Sequence, residues 1–147
     1  MTRLIFGIAM VLAASSDPPT SKTATVTRIG RVVFLADALK AKGVAADPEP
    51  ISKQVALVEP DGTITPLLSD EASRAFFADE RLRNRKAELT IRKIAGLSYL
   101  QVVSFRVEEG GVLRLPEYYC EVCHISVRAP QTCPCCQGPM ELRMKPD

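Results

Sequence analysis

The alternation of apolar and polar residues predicts a mainly β chain whose strands are interrupted by short helices. Residues 24–35, ATVTRIGRVVFL, form a long β-favouring run that is partly apolar on both alternating faces. Gly30 lies in the middle of this run, where a missing Cβ lets a strand bend or bulge. Residues 53–68, KQVALVEPDGTITPLL, contain two β-rich runs joined by the turn sequence PDG. This stretch therefore predicts a β-hairpin.

Two segments have the composition of helices. Residues 36–43, ADALKAKG, contain helix-forming residues that end at Gly43, so a short helical turn is predicted. Residues 69–85, SDEASRAFFADERLRNR, predict a longer helix with Ser69 as its N-cap, acidic residues in its first turn and arginines at its end. One face of this helix is apolar except for an aspartate, and it carries Ala72, Ala75, Phe76, Asp79 and Leu82.

Two further strands are predicted after this helix. Residues 87–94 and 99–109 both alternate between apolar and polar positions. The residues expected on the apolar faces are Ala87, Leu89 and Ile91 in the first strand, and Tyr99, Val103, Phe105 and Val107 in the second. Gly110 and Gly111 then end the predicted domain.

The predicted order is a bent strand, a hairpin, a helix and two strands, so one helix lies between the third and fourth of five strands. This is the topology of an OB-fold barrel, which closes its sheet and leaves almost no exposed edge. Residues 24–109 resemble OB-folds of uncharacterised secreted bacterial proteins, above all in KQVALVEPDGTITPLL and FFADERLRNRKAELTIR. The resemblance implies a mainly β chain with a five-stranded OB-like barrel over residues 24–111 and a separate C-terminal segment over residues 112–147.

The first sixteen residues, MTRLIFGIAMVLAASS, have the pattern of a secretory signal peptide. One early cation, Arg3, precedes an uncharged apolar run of eleven residues that ends in small residues. Such a run is too short to span a bilayer core of about 30 Å. We therefore expect removal of residues 1–16, a linker at residues 17–23, and a periplasmic or secreted mature chain without a transmembrane span. An uncleaved N-terminal anchor or a core helix is the alternative.

The C-terminal segment contains all five cysteines and the only histidine of the chain. Cys120 and Cys123 form one CxxC motif, Cys133 and Cys136 form another, and nine residues separate the two. Two such motifs joined by a hairpin present four thiolates tetrahedrally, which is the geometry that Zn²⁺ favours. The segment resembles a short zinc ribbon or rubredoxin-like minidomain, with residues 140–144 as a returning strand. The prediction is a closed structural zinc site that holds together a segment too small to fold on apolar burial.

Other chemistry fits the same cysteines. Cys135 is a fifth sulfur and His124 follows the first CxxC motif, so both are additional candidate ligands. Residues 120–124, CEVCH, also match the CxxCH motif of c-type haem attachment, for which Met140 or Met144 would be the axial ligand. Thiolates and thioethers are soft ligands that suit Cu⁺ as well as Zn²⁺. An exported protein can also form disulfides, although five cysteines cannot all pair within one chain.

The region around the predicted helix end is rich in cations. These candidate anion-binding residues are Arg81, Arg83, Arg85, Lys86, Arg92 and Lys93. OB-folds bind single-stranded nucleic acid through basic grooves and stacking aromatic residues. Aromatic residues make up only 5% of this chain and its formal net charge is only +2, so a solvated helix end explains the cations more simply.

No motif of a hydrolase, metalloprotease, nucleoside triphosphatase or dinucleotide-binding enzyme is present, so the sequence predicts no enzyme. The leading hypothesis is an exported, non-enzymatic binding or assembly module with a structural zinc site, and its partner would be an unknown protein or an anionic ligand. The alternative is a metal-handling or redox protein in which the cysteines are the active element. A third hypothesis, nucleic-acid binding by the OB-like and ribbon segments, would return to consideration only if the signal peptide proved false.

Overall fold

The computed structural model describes residues 24–145 and shows a mainly β protein. The predicted signal peptide and linker, residues 1–23, lie outside the described residues. Eight strands are present in the described part, namely β1 (Thr25–Phe34), β2 (Val55–Val58), β3 (Ile64–Pro66), β4 (Lys86–Lys93), β5 (Leu100–Glu109), β6 (Val112–Cys120), β7 (Ile125–Val127) and β8 (Glu141–Lys145). The helices are α1 (Leu35–Ala41), α2 (Pro48–Ile51) and α3 (Arg74–Ala78), and a 3₁₀ helix (Glu80–Leu82) follows α3.

The eight strands form one antiparallel sheet with the order β3-β2-β1-β4-β5-β6-β7, and β8 also pairs with β6. Over residues 24–145 this sheet is open, so the closed barrel expected from the sequence is not formed. The reason lies at one edge, where β3 is only three residues long. A single parallel bridge joins Leu67 to Leu100, and the Leu68 amide donates to the Leu100 carbonyl at 2.9 Å. β3 and β5, the outer strands of the unit β3-β2-β1-β4-β5, therefore meet at one point without forming a continuous ladder.

Gly30 allows β1 to lie unusually close to β2. A Cβ added at Gly30 would lie 2.4 Å from the carbonyl oxygen of Val58 and 2.8 Å from Cδ1 of Leu57. A carbonyl oxygen held in a sheet cannot move away as a flexible side chain could. The glycine predicted to permit a bend in the first strand thus permits a close backbone approach.

The prediction of one long helix over residues 69–85 is wrong. The structure has the short α3 and a separate 3₁₀ helix, because Asp79 adopts an extended conformation between them. The Asp79 carboxylate accepts the Arg81 amide at 2.9 Å and thereby begins the second helix. The N-cap position of α3 is occupied by Ser73 and not by Ser69. The Ser73 hydroxyl donates to the carbonyl of Leu68 at 2.6 Å, so it closes the preceding turn.

The face predicted for β5 is only half right. Phe105 and Val107 are buried, but the other buried residues of the strand are Leu100 and Val102, whereas Val103 is half-exposed. In the pairing with β4, Thr90 lies opposite Ser104 and Ile91 lies opposite Val102, so Val103 is an extra residue. A bulge of one residue inverts the side-chain alternation on one side of it. Strict alternation therefore fails at this position.

The apolar core joins the sheet, α3 and the C-terminal segment. Phe76 of α3 is fully buried and stacks against Phe105, with the two ring centroids 4.3 Å apart. Tyr118 of β6 belongs to the same core cluster. Met140, Leu142 and Met144 pack against this cluster, as the alternation of the returning strand predicts.

β6 connects the two predicted parts of the chain. Its first half pairs with β5 and its second half pairs with β7 and β8. β6 begins directly after Gly111 and pairs with strands of both predicted parts. The division into residues 24–111 and 112–147 therefore stays a prediction. None of the helices between residues 24 and 145 is long and apolar enough to cross a membrane.

Candidate metal centre

The two CxxC motifs fold into two turns of the same kind. In the first, which follows β6, the His124 amide donates to the Cys120 carbonyl at 2.9 Å. In the second, the Gln137 amide donates to the Cys133 carbonyl at the same distance. Both donor residues have positive φ angles, 54° at His124 and 60° at Gln137. The left-handed conformation turns the chain back after each motif, so both cysteines of each motif can face one point.

The structure brings together the four cysteines that the spacing selects. Each of Cys120, Cys123, Cys133 and Cys136 offers one sulfur, and these four atoms all lie within 4.8 Å of one another. The Cys120 and Cys136 sulfurs are 3.5 Å apart. A tetrahedral zinc site with Zn–S distances of about 2.3 Å requires sulfurs about 3.8 Å apart. The four residues therefore fit a thiolate-bound metal ion.

Backbone amides donate hydrogen bonds to the sulfur of the first cysteine in each motif. The Cys123 amide donates to the Cys120 sulfur at 3.4 Å. In the second motif, hydrogen bonds from the backbone of Cys136 and then Cys135 lower the pKa of Cys133 to about 7. The thiolate is the form that binds metal, so these donors favour ligand formation near neutral pH. The pKa of Cys123 is raised instead, first by its hydrogen bond to the Cys135 thiol and then by burial.

The two additional candidate ligands have different surroundings. Cys135 is exposed and is not a member of the four-sulfur group, although it is the largest cause of the raised pKa of Cys123. His124 supplies the left-handed turn residue of the first motif. Its Nδ1 lies 2.7 Å from the Tyr119 hydroxyl, so the imidazole is engaged by a neighbouring strand residue.

A partly buried polar network formed by Asp79, Arg81 and Tyr118 was not predicted from the sequence. The Tyr118 hydroxyl donates to Asp79 Oδ2 at 2.7 Å, and the Arg81 guanidinium donates to both oxygens of the same carboxylate at 2.6 to 3.1 Å. Asp79 is only 7% exposed. Tyr118 lies two residues before Cys120, so the network ties the strand that enters the metal centre to the helical segment between β3 and β4. The interruption of the apolar helix face by Asp79 was the only signal of it in the sequence.

Hydrogen bonds determine the charge states in this network. Burial alone would raise the pKa of Asp79, but the bonds from Arg81 and Tyr118 outweigh it and lower the pKa to about 2. The pKa of Tyr118 is raised, because of burial first and the adjacent carboxylate second. At neutral pH the aspartate is therefore ionised and the tyrosine is protonated.

Side-chain contacts at the surface stabilise the pairing of β8 with β6. The Arg143 guanidinium stacks on the Tyr119 ring, 3.9 Å from its centroid, and pairs with Glu121 in the first cysteine turn. Lys145 pairs with Glu117 at 3.4 Å. The strand that follows the second CxxC motif is thus held beside the strand that precedes the first.

The six candidate anion-binding cations have different environments. Arg81 is engaged by Asp79, and Arg83 donates to the Phe76 carbonyl at 2.8 Å while its guanidinium stacks on the Phe34 ring. Arg85 buries its Nη1 atom without a hydrogen-bond partner among residues 24–145. The exposed cations are Lys86 at the start of β4 and Arg92 and Lys93 at its end. Of the three candidate cations inside the predicted helix, Arg81 and Arg83 thus make internal contacts.

No protein-family model matches the chain, and neither a curated protein nor a solved structure shows significant similarity to it. The assignment of function therefore depends on the chemistry and geometry of the candidate site.

Proposed function

We propose that the protein is an exported, non-enzymatic binding or assembly module in which one structural Zn²⁺ ion holds the C-terminal segment together. The observation that carries the proposal is the convergence of four cysteine sulfurs within 4.8 Å. A site with four protein thiolates has no open position for substrate, which is the arrangement of structural zinc.

The weak apolar content of the segment supports a structural role for the metal. β7 has three residues and β8 has five, and the residues of β8 are at most half-buried. The loop between β7 and β8 contains the second CxxC motif and little secondary structure. Segments of this size gain the stability that apolar burial does not supply from metal binding.

The geometry favours a metal ion over haem at Cys120 and Cys123. Their sulfurs lie in one group with those of Cys133 and Cys136. Thioether bonds from Cys120 and Cys123 to haem would remove two of the four thiolates of this group.

An OB-like scaffold and export complete the proposal. The strand order of β1 to β5, the helical segment between β3 and β4, and the parallel bridge from Leu67 to Leu100 support the OB-like scaffold. The apolar run and small residues of the first sixteen positions support export. Cell fractionation followed by N-terminal sequencing tests the export and the cleavage. Recovery of the protein only from the cytoplasm contradicts the export, and an exported chain that still begins at Met1 contradicts the cleavage.

Metal analysis of the full-length protein tests the structural zinc site. We expect one zinc per chain and no absorption band of haem. Cys133→Ser should lose the zinc, because it removes a buried ligand, whereas Cys135→Ser should keep it, because that thiol lies outside the four-sulfur group. A haem absorption band, or full zinc content in Cys133→Ser, would contradict the proposal.

The exposure of two sulfurs supports a second candidate, a metal-handling protein. Cys136 and Cys135 are both exposed, and Cys135 is the largest cause of the raised pKa of Cys123. An exposed neighbouring thiol can replace a ligand during transfer of a soft ion such as Cu⁺. This candidate predicts transfer of the metal to a chelator within minutes, slowed at least tenfold in Cys135→Ser. Transfer that is equally slow in both proteins supports the structural site.

A further inference from the structure

A cavity of about 570 Å³ opens between β1, α1 and the hairpin formed by β2 and β3. Its walls include the apolar side chains of Ile29, Val33, Val58 and Ile64. Ile29 is 43% exposed, which is unusual for an isoleucine in the middle of a strand. The volume lies in the range of small-molecule sites, about 300 to 1,000 Å³. None of its lining residues is a cysteine, so the cavity is separate from the candidate metal centre.

Two like charges face each other at this cavity. Arg31 of β1 and Lys86 of β4 are direct partners in the antiparallel register, and both line the cavity. Directly opposed side chains lie on the same face with Cβ atoms about 5 Å apart, where two cations destabilise the pair of strands. Among residues 24–145, neither cation has a carboxylate within ion-pair distance. The sheet therefore keeps a repulsive pair beside an apolar surface.

The neighbouring carboxylates form no ion pair with Arg31 or Lys86 among residues 24–145. Glu59 lines the cavity but is engaged by Arg28, with Nη1 and Oε1 3.1 Å apart. Glu88, the next residue on the same face of β4, lies opposite Arg106 in the register with β5. Asp37 is the remaining carboxylate of the lining, and Lys42 adds a third cation. The positive charge at the mouth of the cavity is thus incompletely balanced.

We propose that this cavity binds a small amphipathic anion. The anionic group lies between Arg31 and Lys86, where it relieves their repulsion, and the apolar body packs against Ile29, Val33 and Ile64. Charge-assisted hydrogen bonds to both cations hold the anionic group. This inference goes beyond the proposed metal site and does not depend on it.

Two fluorescent dyes with the same aromatic body test the proposal with the full-length protein. Anilinonaphthalene sulfonate carries an anionic group, and phenylnaphthylamine is its neutral counterpart. We expect the sulfonate to bind about tenfold or more tightly than the neutral dye. Arg31→Gln combined with Lys86→Gln should remove that advantage and leave binding of the neutral dye unchanged. Arg92→Gln, an exposed cation of the same strand that does not line the cavity, should behave as wild type.

A second variant separates binding from folding. Lys86→Glu should abolish the preference for the sulfonate and raise the Tm in the absence of dye, because it places a carboxylate opposite Arg31. Equal affinities of the wild-type protein for the two dyes would overturn the proposal. So would wild-type sulfonate binding by the double glutamine variant, or a lowered Tm in Lys86→Glu.

Discussion

At the scale of single residues, Asp79 has the largest consequence for the fold. Its extended backbone ends α3, and its carboxylate begins the 3₁₀ helix and joins Arg81 to the buried Tyr118 hydroxyl. A buried charge is tolerated only where it is paired and hydrogen-bonded, as it is here. One side chain therefore determines the local backbone and also anchors β6, the strand that leads into the cysteine cluster.

We predict that Asp79→Asn lowers the free energy of unfolding by about 2 kcal/mol at pH 7. The folded pKa of Asp79, about 2, is below its ordinary value of 3.8, so the ionised group stabilises the fold above pH 4. That contribution is lost as the pH falls from about 4 to 2. The difference in stability between wild type and Asp79→Asn, measured by urea denaturation, should therefore shrink over this pH range.

Tyr118→Phe is the matched control for that measurement. It removes one hydrogen bond and leaves the Arg81 pair intact, so we expect a smaller loss of about 1 kcal/mol. A difference for Asp79→Asn that stays constant between pH 7 and pH 2 would contradict the ionised network.

At the scale of elements, the sequence predicts the existence of strands better than their faces and ends. The hairpin around Pro60, Asp61 and Gly62 forms as predicted, since turn chemistry is local. The bulge at Val103 depends instead on how β4 and β5 align over their whole length. Two short helices replace one long helix at Asp79, and a hydrogen-bond partner of Asp79, Tyr118, lies 39 residues away in the sequence. Neither alignment nor a distant partner can be derived from local periodicity.

The bulge leads to a prediction for two adjacent valines. Val102→Thr should destabilise the protein by about 1 to 2 kcal/mol, because it buries a hydroxyl at a position that is 2% exposed. Val103→Thr should cost less than about 0.5 kcal/mol, because this side chain is half-exposed. Chemical denaturation of both variants checks the order, and a larger cost at Val103 would favour the unbulged alternation.

The close approach of β1 and β2 leads to a second prediction at this scale. Gly30→Ala should destabilise the protein by about 3 kcal/mol, because its Cβ would collide with the Val58 carbonyl. Gly110→Ala is the control, since Gly110 has a positive φ of 58° but no atom near the added Cβ. Its cost should be only about 1 kcal/mol. Thermal unfolding distinguishes them, and equal losses would show that collision plays no part at Gly30.

At the scale of the whole molecule, β6 belongs both to the large sheet and to a C-terminal segment whose apolar side chains pack against the same core. The first five strands bury several residues completely, among them Val32, Leu57, Leu89 and Ile91. The last two strands both pair with β6, and the loop that joins them carries two of the four cysteines of the four-sulfur group. The two regions should therefore differ in their response to loss of metal.

We predict that a zinc chelator at neutral pH removes hydrogen-exchange protection from β7, β8 and both cysteine turns but leaves β1 and β4 protected. The physical reason is that the core cluster contains none of the four cysteines, whereas the proposed zinc ion would link both cysteine turns of the small segment. Hydrogen exchange with mass spectrometry measures this directly. Unchanged protection of β7 and β8 after metal removal would show that the segment folds on apolar contacts alone.

The sequence by itself determined the strand-rich class, the hairpin, the short α1 and the four cysteines that converge, because each depends on residues close together in the chain. The spacing within CxxC motifs is such a local property, and the alternation of Met140, Leu142 and Met144 is another. Only the tertiary structure decided that the sheet stays open, that Asp79 is buried against Tyr118, and that Arg31 faces Lys86 beside a cavity. These features depend on strand register and on contacts between distant residues, and local periodicity does not specify either.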